Sequence, residues 1–140
     1  MFVEVYLFFD GRCEEAIKFY QEKLGAKLDM LMRFSDSPDP IPADVMPPGN
    51  EDKIMHASFH IGDTHIMVSD GNCSGEPKLG GFTLSLTAAD TAEADRLFNA
   101  LAEEGKVIMP IGETFWSPHF GMVNDKFGVS WMVTVPTPAQ

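Results

Sequence analysis

The sequence has few basic residues, few cysteines and no long hydrophobic run. Ten Lys and Arg stand against 21 Asp and Glu, so the formal net charge is −11. An acidic surface of this kind repels phosphate backbones and anionic membranes, which argues against nucleic acid and membrane partners. The apolar stretches are too short to span a bilayer, and Glu4 lies where a signal peptide would be basic. We therefore expect a cytoplasmic protein.

Cysteine is nearly absent, and its spacing excludes the common cysteine chemistries. Cys13 and Cys73 allow at most one bridge and do not form a CxxC motif. Both are expected to be structural or incidental thiols. The remaining composition, with 140 residues and 44% hydrophobic content, is enough to fill the core of one domain of ordinary size.

Two segments of the chain repeat the same pattern. Asp10 opens a helical stretch that ends at Gly25, and Asp90 opens a second one that ends at Gly105, an offset of 80 at both ends. Strand-like runs flank both stretches. A repeat of this kind predicts an α+β fold of paired βαβββ units, whose curved mixed sheets form a cup. The two aspartates are predicted to cap the helices, and the two glycines to end them.

The boundaries of the units follow from composition. We predict a first unit over residues 1–70, a linker at 71–81 rich in Gly and Ser, and a second unit over 82–136, all in a single domain. Residues 35–52 contain five prolines and are predicted to be an irregular insertion. Because the insertion contains Ile41, Val45 and Met46, it is interpreted as a lid or rim.

Histidines mark one candidate site. His56, Ser58 and His60 alternate along a predicted strand and should share one face of the 54–69 hairpin, which also contains His65. Imidazoles on paired strands can ligate a divalent metal, with Asp70 nearby. The alternative is that His60 and His65 flank the turn in solvent while His56 hydrogen-bonds inside. His56 is also a candidate catalytic residue.

Aromatic side chains mark a second candidate site. Trp116, His119 and Phe120 lie around a Ser-Pro bend, where large flat side chains suit an apolar ligand. Together with Ser85 and His56 they are the predicted ligand-binding residues. The alternative for the aromatic cluster is a core or dimer contact. Glu113, just before the bend, is the other candidate catalytic residue, as a general base.

Three stretches carry a resemblance to a known family. FFDGRCEEAIKFYQEKLGAK, IMHASFHIGD and ETFWSPHFGMVNDKFGVSWMV resemble the PhnB-like branch of the vicinal oxygen chelate superfamily, which comprises glyoxalases, bleomycin resistance proteins and dioxygenases. The resemblance covers nearly the whole chain. It implies paired βαβββ units, a homodimer, and a divalent metal held by His, Gln or Glu on the first and last strands of each half. Members of the branch are often labelled 3-demethylubiquinone-9 3-methyltransferase-like.

The metal site implied by the resemblance lacks suitable side chains. Counting from local landmarks places Val5, Thr83 and Met132 at the ligand positions, and none is a normal ligand for a divalent metal. The sequence therefore predicts a homodimer that binds an unidentified small molecule in an aromatic-lined cup, with no cofactor. Whether it is an enzyme stays open.

Two alternatives remain. One is a metal-dependent lyase, isomerase or dioxygenase with a displaced divalent metal at His56. The other is a methyltransferase, although the chain has no glycine-rich turn followed by an acidic residue of the kind that binds dinucleotides.

Overall fold

The structure of the protein, a computed structural model, describes residues 1–42, 48–73 and 79–137. It divides into two compact units, residues 1–78 and 79–140. The first contains β1 (Val5–Phe8), α1 (Cys13–Leu24), β2 (Lys27–Arg33), β3 (Ile54–Ile61) and β4 (Thr64–Ser69). The second contains β5 (Leu84–Thr87), α2 (Thr91–Ala102), β6 (Lys106–Gly112), β7 (His119–Asn124) and β8 (Ser130–Val135). The predicted α+β class with two βαβββ units is confirmed. Neither α1 nor α2 has the length and apolar character needed to cross a membrane.

Each unit builds one four-stranded mixed sheet with the same strand order. The orders are β1-β4-β3-β2 and β5-β8-β7-β6, so the first and second strands of each unit form the edges. The first and last strands pair in parallel, and the other neighbours are antiparallel. The two predicted hairpins are confirmed, one turning at Gly62 and Asp63 and the other over residues 125–128.

One face of each sheet is covered by the helix of its own unit. On α1, Tyr20 lies with its ring centroid 6.0 Å from that of Phe59 on β3. Side chains alternate along a strand, so Leu7, Ala57 and Phe59 are buried on this face. Helix α2 contacts β6, β7 and β8 in the same way. We call the opposite side of each sheet its open face.

The two helices begin differently. Asp90 caps α2 as predicted, since its Oδ1 accepts from the backbone N–H of Glu93 at 2.8 Å. The predicted cap at Asp10 is wrong. Asp10 has a positive φ of 52°, and the cap position of α1 is held by Arg12, which makes no side-chain capping bond. The carboxylate that serves α1 comes from Asp70, far along the chain, and accepts from the N–H of Cys13 at 2.8 Å.

The two helices also end differently. Gly25 adopts the left-handed conformation at the end of α1, with φ 68°, which confirms the prediction. The predicted end of α2 at Gly105 is wrong, because the helix stops at Ala102 and the left-handed residue is Glu104, with φ 58°. Gly105 is needed for a different reason. A Cβ there would collide with the backbone carbonyl oxygen of Asn124.

The predicted insertion and linker are described only in part. Residues 43–47 and 74–78 lie outside the described residues, and with them Val45 and Met46 of the lid hypothesis. The described start of the insertion contains a single 3₁₀ turn, Phe34–Asp36, where no regular element was predicted. Backbone bonds from Phe34 N–H to the Lys53 carbonyl (3.0 Å) and from Ser35 N–H to the Glu51 carbonyl (2.9 Å) hold the two ends of the insertion together.

The two thiols should differ in reactivity. Cys13 is fully buried, and burial together with the charge of Asp70 raises its thiol pKa. Cys73 is partly exposed, and its pKa is also raised, mainly by burial. Since the thiolate is the reactive form, we expect a disulfide reagent such as DTNB to modify one thiol slowly in the native protein and both in denaturant. A Cys73→Ser variant should lose the native reaction, and its persistence would contradict the assignment.

Candidate functional site

A phenol and an imidazole meet on the open face of the first unit. The hydroxyl of Tyr6 on β1 and Nδ1 of His56 on β3 are hydrogen-bonded at 2.8 Å, and the ring centroids lie 5.5 Å apart. Strand alternation places both there, because Leu7 and Ala57, their chain neighbours, point to the helix. The predicted sharing of one face by His56, Ser58 and His60 follows from the same alternation.

The phenol of this pair keeps its proton. Partial burial raises the pKa of Tyr6 above its usual value of about 10, so the hydroxyl is protonated at neutral pH. Tyr6 still exposes 38% of its surface. The pair therefore offers one hydroxyl donor and one imidazole, both within reach of a molecule that lies on the sheet.

Apolar side chains surround the pair. The ring of Phe8 stacks on Tyr6 with centroids 5.0 Å apart and is 54% exposed. Met67 pairs with Tyr6 in the register of β1 and β4, and Met32 pairs with His56 in that of β2 and β3. Flat rings and flexible thioethers together form a surface that adapts to an apolar ligand while the polar pair orients it.

The other two histidines of the hairpin are each paired with a carboxylate. Nδ1 of His60 pairs with Asp29, and Nδ1 of His65 pairs with Glu4. Their rings lie 5.0 Å apart, because the two residues are register partners. His56 differs from them, because its partner is the hydroxyl of Tyr6 and not a carboxylate.

Asp70 does not join the histidines. It is 1% exposed, and its oxygens accept from the N–H groups of Gly11, Cys13 and Ile54 at 2.7–2.8 Å. Within residues 1–42, 48–73 and 79–137, no three His, Cys, Asp or Glu side chains are placed to hold a metal ion together. The predicted set of His56, His60, His65 and Asp70 is not brought together.

The metal positions implied by the resemblance can be read from the strands. Val5 was counted as the β1 position, but it is the register partner of the buried Ile66 and lies on the helix side, so this placement is wrong. Open-face pairs across the first and last strands include Tyr6 with Met67 and Glu4 with His65 in one unit, and Ser85 with Met132 and Thr83 with Ser130 in the other. Glu4 and His65 are ligand-type side chains that bond each other, whereas the phenol, thioethers and hydroxyls of the remaining residues are not normal ligands of a catalytic divalent metal. One carboxylate and one imidazole fall short of the three protein ligands that such a metal needs, and the described residues contain no group of three.

In the second unit the open face carries part of the predicted aromatic site. Ser85 is exposed on β5, and Phe120 on β7 is the register partner of Thr134, on the same side of the sheet. The ring of Trp116 lies 5.3 Å from that of Phe120 and is 48% exposed. Trp116 is therefore not under the helix, and it presents an accessible flat surface.

His119 does not share this face. It is the register partner of the buried Val135, and its Nε2 bonds Asp95 of α2 at 2.6 Å. The expectation that it lies beside Trp116 on the ligand side is therefore wrong. Glu113, the other catalytic candidate, is exposed in the turn after β6.

The common register allows the two units to be matched residue by residue. Ala57 pairs with Val68, and Gly121 pairs with Val133 at the equivalent place, so the preceding residues His56 and Phe120 are equivalent. Tyr6 corresponds to Ser85 in the same way. The polar pair of the first unit thus stands where the second unit has a hydroxyl and a phenyl ring.

Sequence reasoning missed Tyr6 and Phe8 as site residues. The available signal was the alternation in β1, where Glu4, Tyr6 and Phe8 occupy one side and Val5 and Leu7 the other. An alternating pattern of this kind is enough to distinguish the two faces of a strand. The partner of Tyr6 could not be found in this way, since it lies 50 residues away.

Two βαβββ units, each with a parallel pairing of its first and last strands and an open sheet face, define a repeated class of α+β fold. The profile of the Glyoxalase/Bleomycin resistance protein/Dioxygenase superfamily matches residues 3–133, and the chain belongs to this superfamily.

Relatives extend over nearly the whole chain. It is 42% identical to Protein YjdN of Escherichia coli over 135 residues, which covers 93% of this chain and 92% of YjdN. The crystal structure of protein PA1353 from Pseudomonas aeruginosa is 42% identical, with 99% of both chains covered and a TM-score of 0.84. A Bacillus cereus PhnB protein, described as a putative 3-demethylubiquinone-9 3-methyltransferase, is 28% identical, with 96% and 99% covered and a TM-score of 0.79. The resemblance to the PhnB-like branch is confirmed.

Proposed function

We propose that this chain binds a small, flat and largely apolar molecule on the open face of its first unit, without the superfamily's divalent metal. The hydrogen bond between Tyr6 and His56 carries the proposal, because it places a polar pair on the open face among apolar side chains. The exposed ring of Phe8 and the flanking methionines support an apolar ligand body. We infer that the ligand also carries one hydroxyl or carbonyl oxygen.

The hydrogen-bond capacity of the pair favours a ligand with such an oxygen. A phenol can donate one hydrogen bond and accept others, and a neutral imidazole has one donor and one acceptor nitrogen. After they bond to each other, the pair can still accept a hydrogen bond from a ligand hydroxyl or donate one to a ligand oxygen. A purely apolar ligand would leave this capacity unmet and would lose the corresponding affinity.

Two matched probes test the proposal. 2-Naphthol and naphthalene have the same ring area and differ in one hydroxyl, so 2-naphthol should bind about tenfold more tightly in calorimetric or NMR titrations, for one net hydrogen bond. Tyr6→Phe or His56→Gln should remove this difference. His119→Gln is the control, because His119 faces α2. Loss of the difference in His119→Gln but not in His56→Gln would overturn the proposal, as would one transition metal bound per purified chain.

Acid–base catalysis by the same pair is a second candidate function. The protonated phenol of Tyr6 can pass its proton to a ligand oxygen while Nδ1–H of His56 returns a proton to the phenolate and Nε2 of His56 takes one from solvent, so that both side chains end neutral. This is the role of a general acid with a neighbouring relay. Under this proposal His56, the candidate catalytic residue, acts as a proton relay and not as the ligand of a displaced metal. Tyr6→Phe would then abolish turnover of a ligand that it still binds.

Several sequence predictions stay proposals. Ser85, Trp116 and Phe120 are proposed to contact a ligand on the second unit. Glu113 stays a candidate general base from the sequence. The homodimer and the cytoplasmic location are likewise predictions, supported by the superfamily and by the composition of the chain. A transferase activity, as the name of the Bacillus cereus relative suggests, is the weakest candidate, because the chain has no nucleotide-type fingerprint.

A further inference from the structure

The second unit contains a groove of its own, which involves neither Tyr6 nor His56. It has a volume of about 420 Å³ and is lined by the segment 79–83 together with Asn124, Gly128 and Ser130. Cavities of about 300–1,000 Å³ are typical of small-molecule sites. We propose that this groove binds a neutral planar molecule that carries a carboxamide-like edge, independently of Tyr6 and His56.

Three of the lining residues have polar side chains and lie side by side on the sheet. Thr83 Oγ1 and Ser130 Oγ are hydrogen-bonded at 2.8 Å, and Ser130 is the register partner of Asn124. Whichever hydroxyl donates in this bond, the accepting one keeps its own proton for another acceptor. The Asn124 carboxamide adds both a donor and an acceptor. A ligand with an amide-like edge can satisfy all of these groups.

The lining also selects against charge. The eight residues that line the groove are uncharged, and the chain as a whole has a net charge of −11. An anion would lose its hydration without gaining an opposite charge, so a neutral ligand is favoured. Phe82, with 41% of its surface exposed, supplies a flat apolar contact for a ring.

Side-chain size differs between the two units at three matched positions of this groove. The residues of the first unit equivalent to Thr83, Ser130 and Asn124 are Glu4, His65 and His60, which follow from the same strand pairings. There, larger ionisable side chains stand at these positions: Glu4 pairs with His65, and His60 pairs with Asp29. In the second unit the three side chains are small and neutral, and they line the groove.

Benzamide and benzoate are the probes for this site, since they share one shape and differ in charge. In ¹⁵N-resolved NMR titrations of the full chain, benzamide should shift the amide signals of Gly80, Gly81 and Gly128, and benzoate should bind at least about tenfold more weakly. Asn124→Ala should weaken benzamide binding about tenfold, for loss of two hydrogen bonds to the amide edge. Asn99→Ala, exposed on α2, is the matched control and should have no effect.

A second variant keeps the test independent of Asn124. Ser130→His introduces the side chain that the first unit has at the equivalent position, and it should fill the groove and abolish the benzamide shifts while thermal unfolding stays cooperative. The proposal is overturned if benzamide at tens of millimolar shifts none of the three glycine signals. Equal binding of benzoate, or unchanged binding in Asn124→Ala, would overturn it as well. Tyr6→Phe should leave these shifts unchanged, which separates this site from the proposed function.

Discussion

Replacement of Asp70 by alanine is expected to lower the free energy of unfolding by about 3 kcal/mol or more, because hydrogen bonds to a buried charged group contribute about 1.5–3 kcal/mol each. Asp70 is 1% exposed and accepts from the backbone N–H groups of Gly11, Cys13 and Ile54. Without it, three backbone donors from the start of α1 and the start of β3 lose their acceptor. Urea unfolding measured by circular dichroism would report the change.

Two further variants separate charge from geometry at this position. Asp70→Asn keeps one oxygen for Gly11 and Cys13 but turns an NH₂ group toward the N–H of Ile54, so its loss should be smaller than that of Asp70→Ala. Asp10→Asn is the control, because Asp10 is partly exposed and Asn tolerates its positive φ. If Asp70→Ala lost no more stability than Asp10→Asn, the assigned role of Asp70 would be wrong.

Gly105→Ala is expected to be the second large effect, at about 2–3 kcal/mol, as for other overpacking substitutions. The added Cβ would collide with the carbonyl oxygen of Asn124 and come within 3.1 Å of Asp125 backbone atoms. All three contacts are to backbone atoms, which cannot move as a flexible side chain can. The loss should therefore appear in the unfolding free energy and not only as a local rearrangement.

Gly112→Ala provides the matched control at the other end of β6. A Cβ at Gly112 would meet nothing within 4 Å, and its φ is not in the left-handed region. We expect its unfolding midpoint in urea to stay close to that of the parent protein. Equal losses in the two variants would show that the general effect of replacing glycine by alanine, and not the approach to Asn124, decides the outcome.

The repeat, the strand order within each hairpin and the fold class were predictable, because they depend on periodicity that is local in the sequence. The cap of α1 was not. Asp10 has the right residue type at the right distance, but the carboxylate that bonds the helix start belongs to Asp70. Contacts of this range depend on how β4 returns beside β1, which no local pattern encodes.

The candidate site was predictable to the same extent. Alternation placed His56 on the open face, but its partner Tyr6 is on a strand 50 residues earlier. His119 was assigned to the wrong face because the Ser-Pro bend before it interrupts the alternation of side chains that leads into β7. The pairing of β7 with β8 is needed to assign its face. Its bond to Asp95 on α2 agrees with this helix-facing orientation.

The edges of the two sheets bear on how copies of this chain can associate. β1 and β5 have four residues each, β2 and β6 are interrupted by register shifts, and β6 contains Pro110, which has no N–H to offer. Edge strands that are short, irregular or contain proline are poor templates for pairing with a further strand. A dimer of this protein should therefore be joined by side-chain packing and not by a continuous intermolecular sheet, and concentrated solutions should resist fibril growth.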